Sequence, residues 1–208
     1  MIDIHSRKTI LTVPLILVIA AALVVWLAPE EQALGTGIKS VYVHVSLIWV
    51  GMLGLTLAGV LGSGVALSAS PRLQRWMHSI GWVGLAFFVA GMGMSFLAAG
   101  INWGAVFWEE PRNRAMTNVM AITLIVQVLS NWIPWIRGRG LLHVIPAALL
   151  TWSVLSTPLV LHPRSPILTS SSTAIQITFV GLFGLGCLGA GWITWHLQRS
   201  QNLPVAVD

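Results

Sequence analysis

Acidic residues are almost missing from this chain: six in 208, against eleven Lys and Arg. They are Asp3, Glu30, Glu31, Glu109, Glu110 and Asp208, and none falls inside a long apolar run. Proton-coupled pumps and transporters commonly carry an intramembrane carboxylate, so that class lacks its usual signature here. Cysteine is limited to Cys187. That excludes an intrachain disulfide, a Cys-pair metal or redox motif, and the CxxCH attachment of a c-type haem. Charged residues make up 8% of the chain, about a third of the ~25% usual in soluble domains. No P-loop, GxSxG or HExxH occurs, so those enzyme classes leave no trace here.

What is present is apolar. Hydrophobic residues reach 56% and the mean hydropathy is +0.83. The pattern predicts an all-α polytopic membrane protein, six transmembrane helices in one bundle, forming a single domain over 1–208. The spans fall at roughly 10–28, 41–69, 78–101, 115–136, 141–161 and 174–197. Each is long enough for ~30 Å of hydrocarbon at about 1.5 Å per residue. The second is the longest and must tilt or protrude. The first follows Arg7 and Lys8, but its apolar run exceeds the ~7–15 residues of a signal-peptide core, and it reads as an uncleaved helix. The glycines Gly181, Gly184, Gly186, Gly189 and Gly191 of the last span read as close helix packing.

The charge of +5 is not a nucleic-acid footprint, because the basic residues punctuate the apolar runs. Arg7, Lys8, Arg72, Arg75, Arg137, Arg139 and Arg199 collect on one side; Lys39, Arg112, Arg114 and Arg164 collect on the other. The positive-inside rule makes the richer side cytoplasmic. Both termini are then cytoplasmic. Residues 70–77 and 137–140 read as tight inner turns. The longer outer loops, 29–40, 102–114 and 162–173, are where function is expected.

Two histidines sit at outer span ends: His44, within Val41-Tyr-Val-His-Val45, and His162, followed by Pro163. Each alone reads equally as an interfacial or helix-end histidine. Together, at one depth, they suit the two axial positions of a haem iron. Between spans three and four runs Trp103-Gly-Ala-Val-Phe-Trp-Glu-Glu-Pro-Arg112. Trp103, Phe107 and Trp108 offer flat apolar surface for a macrocycle. Arg112, Arg114 and Arg164 suit its two carboxylates, with Glu109 and Glu110 orienting the arginines or contacting a partner. The plainer account of this loop is an aromatic girdle with a solvated charge cluster. His78, His143 and His196 lie at inner span ends and read as interface histidines, or else as a second site or an entry route. Asn118, Gln127, Ser130 and Asn131 on span four read as interhelical hydrogen-bonding groups.

With these residues in view, the chain resembles the CcmC-type haem-handling proteins of cytochrome c maturation, within the cytochrome c assembly family and its tryptophan-rich "WWD" domain. Val41-Tyr-Val-His-Val45 is similar to that family's Tyr-(Leu/Val)-His-Val-Pro, with Ser46 in place of the proline. The 103–112 segment is similar to its Trp-Gly-x-x-Trp-x-Trp-Asp-(Ala/Pro)-(Arg/Lys). In that register Phe107 and Glu109 stand at tryptophan positions, Glu110 at the aspartate and Arg112 at the basic position. Leu161-His-Pro163 blends two histidine motifs of the family and lacks the Trp pair between them.

The resemblance implies six spans and haem b bound at the outer face of a prokaryotic inner membrane. Its cofactor-binding residues would be His44, His162, Trp103, Phe107, Trp108, Glu110, Arg112 and Arg164, with His44 and His162 as axial ligands. It implies handover to a periplasmic haem chaperone or apocytochrome, beside ABC-type and small membrane subunits. Two alternatives stay open: an accessory subunit of a larger membrane complex, and a haem b electron-transfer anchor.

Overall fold

The computed structural model describes residues 7–158, 160 and 166–200. His162 and Arg164 lie outside the described residues. The described chain is helical: α1 (Arg7–Leu27), α2 (Ile38–Ser68), α3 (Pro71–Trp103), α4 (Pro111–Leu129), α5 (Ile136–Ser156), the short α6 (Pro166–Thr169) and α7 (Thr173–Ser200). Among the described residues no strand forms, only an isolated bridge between Glu31 and Gly35. Four helices are long and apolar enough to cross a membrane: α2, α3, α5 and Thr173–Arg199 of α7. This is a membrane protein of the all-helical kind. The apolar part of α1, Leu11–Leu27, is shorter, and α4 opens on the polar run Arg112-Asn-Arg114.

Helix α2 is the hub, touching α3, α5, α7 and α1. Its glycines explain how. A Cβ on Gly54 would lie 2.7 Å from Gly84 Cα, and one on Gly84 would meet the Gly54 and Leu55 backbone at 2.9 Å. Gly51 similarly abuts the Phe88 backbone, and Gly91 the Ile48 nitrogen at 2.7 Å. One turn further along α2, Gly59 and Gly62 meet Ala147 and Gly140 of α5. Lipid supplies no hydrophobic drive for helix association, so dispersion at close approach takes over, and only glycine permits backbones this near.

The glycines of α7 behave differently from expectation. Gly186 meets Val50 and Gly189 meets Leu17, but a Cβ on Gly181, Gly184 or Gly191 would meet nothing within 4 Å among the described residues. Much of α7 faces outward, and the packing glycines sit on α2 and α3.

Two inner-turn assignments are corrected. Residues 71–77 are helical: the Ser70 hydroxyl accepts from Leu73 N–H and Pro71 stands at the first helical position, both helix-start signals. The α2–α3 link is just Ala69 and Ser70, with Ala69 left-handed at φ 53° and its N–H on the Val65 carbonyl at 2.8 Å. Residues 137–140 form the first turn of α5. Arg139 Nε donates to the Ile133 carbonyl at 2.6 Å, and Gly140 lets α5 reach α2. The true turn is 130–135, so α4 ends at Leu129 rather than near 136.

Helix ends pair across the bundle. Asn102, near the end of α3, donates to Gly37 O at the start of α2, while Gln198 of α7 donates to Arg75 O at the start of α3. One end of the bundle therefore collects the starts of α2, α4 and α7 and the ends of α3 and α5. The other end holds the starts of α3 and α5.

If backbone contact between α2 and α3 is the fold's tightest joint, Gly84→Val should cost about 3 kcal/mol. Thermal unfolding in detergent should show a clear drop. Gly191→Val, in open space, should unfold close to the parent temperature.

Candidate functional site

At the first of these ends lies a cavity of about 330 Å³. Its walls are the outset of α2 (His44, Ile48), the last turns of α3 (Met92, Phe96, Trp103), the 104–110 loop (Phe107, Glu110), the first turns of α4 (Arg112, Met116) and Val154 of α5. Five residues singled out in the sequence share it: His44, Trp103, Phe107, Glu110 and Arg112.

His44 is oriented by its neighbour helix. Its Nδ1 is 2.9 Å from the carbonyl oxygen of Gly91. A carbonyl only accepts, so Nδ1 carries a hydrogen, and in a neutral imidazole Nε2 is then the acceptor nitrogen. That is the arrangement of a ligating imidazole, whose other nitrogen is held by a backbone acceptor. Gly91 allows it because, lacking a side chain, it lets α2 come close.

The aromatic loop divides. Trp103 and Phe107 line the cavity, with ring centroids 6.4 Å apart. Trp108 does not line it: its ring is 64% exposed and rests on the outer side of Phe96, centroids 5.0 Å apart. The turn is pinned from below, where Asn113 donates to the Phe107 carbonyl at 3.0 Å. Trp103 leads into Gly104, whose φ of 72° ends α3 in a left-handed cap, a conformation glycine adopts at least cost.

The charges are also sorted. Glu109 pairs with Arg114 at the exposed surface, in keeping with an orienting acid. Glu110 is 1% exposed and its Oε1 accepts from Val160 N–H at 3.2 Å. Arg112 reaches across to α5, one terminal nitrogen donating to Val154 O at 3.0 Å and Thr157 O at 2.8 Å. A guanidinium there satisfies carbonyls that the end of α5 leaves open and meets the negative end of its dipole. Arg112 Nε is buried without a hydrogen-bond partner among the described residues. The sequence points Arg112 at ligand carboxylates, with Glu109 or Glu110 orienting it; its acceptors on α5 are backbone atoms, which leave no mark in a sequence.

Several lining residues carried no sequence signal. Ser95, Phe96, Met92 and Met116 lie on two helices and converge only through the fold. Asn102, a lone amide at the end of an apolar span, does not line the cavity but sits next to Trp103, which does. It donates to Ala98 O (2.8 Å), Ser40 Oγ (3.0 Å) and Gly37 O (3.2 Å), joining α3 to α2 beside the cavity.

The opposite end gathers two of the three histidines expected there. His78 and His143 approach to 6.2 Å between ring centroids. Trp82 Nε1–H donates to His78 Nε2 at 3.1 Å. His143 Nδ1–H donates to Arg139 O at 2.9 Å, and its Nε2 lies 3.4 Å from the Gln127 side chain. His143 thus joins α4 to α5, and Gln127 fits under Gly81 of α3. That is the interhelical bonding expected of Gln127. His196 packs on Trp192 and Trp195 of its own helix.

Replacing Asn102 with Ala removes its three bonds and with them the side-chain link from α3 to Gly37 and Ser40 at the start of α2. A loss of about 2 kcal/mol is expected, read as a lowered unfolding temperature in detergent. Asn102→Ser should behave no better, since a hydroxyl is too short to span α3 and α2.

No protein-family model and no curated protein matches the chain.

Proposed function

We propose that this chain holds haem b at the outer face of a prokaryotic inner membrane and presents it to a haem chaperone or an apocytochrome. In this reading six helices span the bilayer, both termini are cytoplasmic, and the cavity opens on the outer side. The observation that carries the proposal is the cavity that joins His44, tautomerically set by Gly91, to the aromatic rings of Trp103 and Phe107.

The residues fit the group. Haem offers two axial iron positions, a flat apolar ring and two carboxylates. His44 Nε2 suits one axial position, and His162 is proposed for the other. Trp103 and Phe107 supply ring-facing surface, and the Arg112 Nε–H is a buried donor suited to a carboxylate. Trp108, exposed at the rim, suits contact with the recipient better than contact with the ring. At about 330 Å³ the cavity is near the low end of the ~300–1,000 Å³ of ligand sites, which favours a cargo held partly outside and accessible to a partner. The chain forms no covalent bond to it, and the role is that of a carrier.

A second reading has its own support. Helix α7 leaves Gly181, Gly184 and Gly191 without neighbours, as an accessory subunit of a membrane complex would before assembly. A haem b electron-transfer anchor is less supported, because His143 has both ring nitrogens directed at protein groups.

His44→Ala should abolish most co-purifying haem, and Phe107→Ala should retain less than the parent after gel filtration. Haem content per chain, measured by absorbance against protein concentration, checks both. Full haem in His44→Ala would remove His44 as a ligand.

A further inference from the structure

The acid and the base that close the aromatic loop both reach the same neighbour. Glu110 Oε1 takes the Val160 N–H at 3.2 Å. Two residues on, Arg112 holds the Val154 and Thr157 carbonyls at 3.0 and 2.8 Å. The bonds run in opposite senses: the acid accepts from a backbone donor beyond α5, and the base donates to backbone acceptors at its end. Pro111, between them at the first position of α4, fixes φ and so the angle at which the two side chains diverge. Glu110 and Arg112 also line the cavity, as does Val154.

We propose that Glu110 and Arg112 are a pair of positioning residues, a clamp that fastens the 103–110 loop to the end of α5 and thereby fixes the cavity wall opposite His44. Its bearing on haem rests on the function proposed above. The clamp itself is a property of the chain alone. Surface charge would be a poor way to hold this joint, since exposed ion pairs contribute little. Here both side chains bond to backbone in a part-buried setting, with Glu110 itself 1% exposed, and a buried group that loses its partner costs more than an exposed one. The neighbouring pair, Glu109 with Arg114, is exposed and has no such reach.

The clamp explains why acid and base, two residues apart at the start of α4, reach separate backbone partners on and beyond α5. Each has a different backbone partner to satisfy. It also assigns Arg112 two duties: its terminal nitrogen orders α5, and the same side chain forms part of the cavity wall.

The test is amide hydrogen exchange of the haem-free protein in detergent micelles, followed over the stretch from Val154 to Val160. Glu110→Ala should speed exchange there by about tenfold, the worth of one backbone-to-side-chain hydrogen bond. Glu110→Gln keeps an oxygen for Val160 N–H and should restore protection. Arg112→Lys, which keeps a donor for the α5 carbonyls, should also stay protected, where Arg112→Ala should not. In the haem-loaded protein, Glu110→Ala should shift and broaden the Soret band, and Glu110→Gln should return it to the parent position, a signature that mere loss of stability would not give. Unchanged exchange in Glu110→Ala overturns the clamp. So does Glu110→Gln behaving as Glu110→Ala, because the charge and not the acceptor would then matter. Exchange that follows the expected pattern in a parent protein that takes up no haem supports the clamp and overturns the haem reading.

Discussion

Contact of backbone with backbone between α2 and α3 is the constraint on which the rest of the structure depends. Gly51, Gly54, Gly84 and Gly91 remove the side chains that would hold these helices apart. In a bilayer that closeness is the main source of helix affinity. It also fixes chemistry: Gly91, by letting α2 approach, places its carbonyl 2.9 Å from His44 Nδ1. The tautomer of the candidate ligand is therefore a consequence of packing. The same helix uses Gly59 and Gly62 to seat α5, so the two walls of the cavity are set from one element.

Around that hub the two bundle ends take different characters. At the His44 end, hydrogen bonds connect helix ends and loops: Asn102 to α2, Asn113 to the Phe107 carbonyl, Arg112 to α5. They surround an apolar cavity with a few directed polar groups, the usual make-up of a ligand site. At the opposite end His78, Trp82, His143 and Gln127 bond to one another or to nearby backbone between α3, α4 and α5. That end is cross-linked; the His44 end is left with space.

Much of this was legible in the sequence. Apolar runs gave the major helices, because runs of this length have few other stable forms. The Trp103 to Arg112 segment announced itself by placing aromatics, acids and Pro together between two runs, and His44 by its place near the start of one. Helix edges were harder. Arg137-Gly-Arg-Gly140 has the composition of a turn, yet the Arg139 side chain caps Ile133 and Gly140 allows contact with α2, so the helix starts earlier. Glycine counts pointed to α7, although which face a glycine presents depends on the partner helix. Trp108 was grouped with Trp103 and Phe107 because adjacency in a loop does not reveal which ring turns inward. The acceptors of Arg112 were invisible, being main-chain carbonyls, and Phe96 and Met116 reach the cavity only through tertiary packing.

The proposed role of the cavity at the His44 end of the bundle is to hold haem. The most direct measurement is the absorption spectrum of the purified protein, oxidised and then dithionite-reduced, with a pyridine haemochrome count. The account predicts a b-type spectrum at close to one haem per chain. Absence of any Soret band after expression with a haem precursor and mild solubilisation would contradict it.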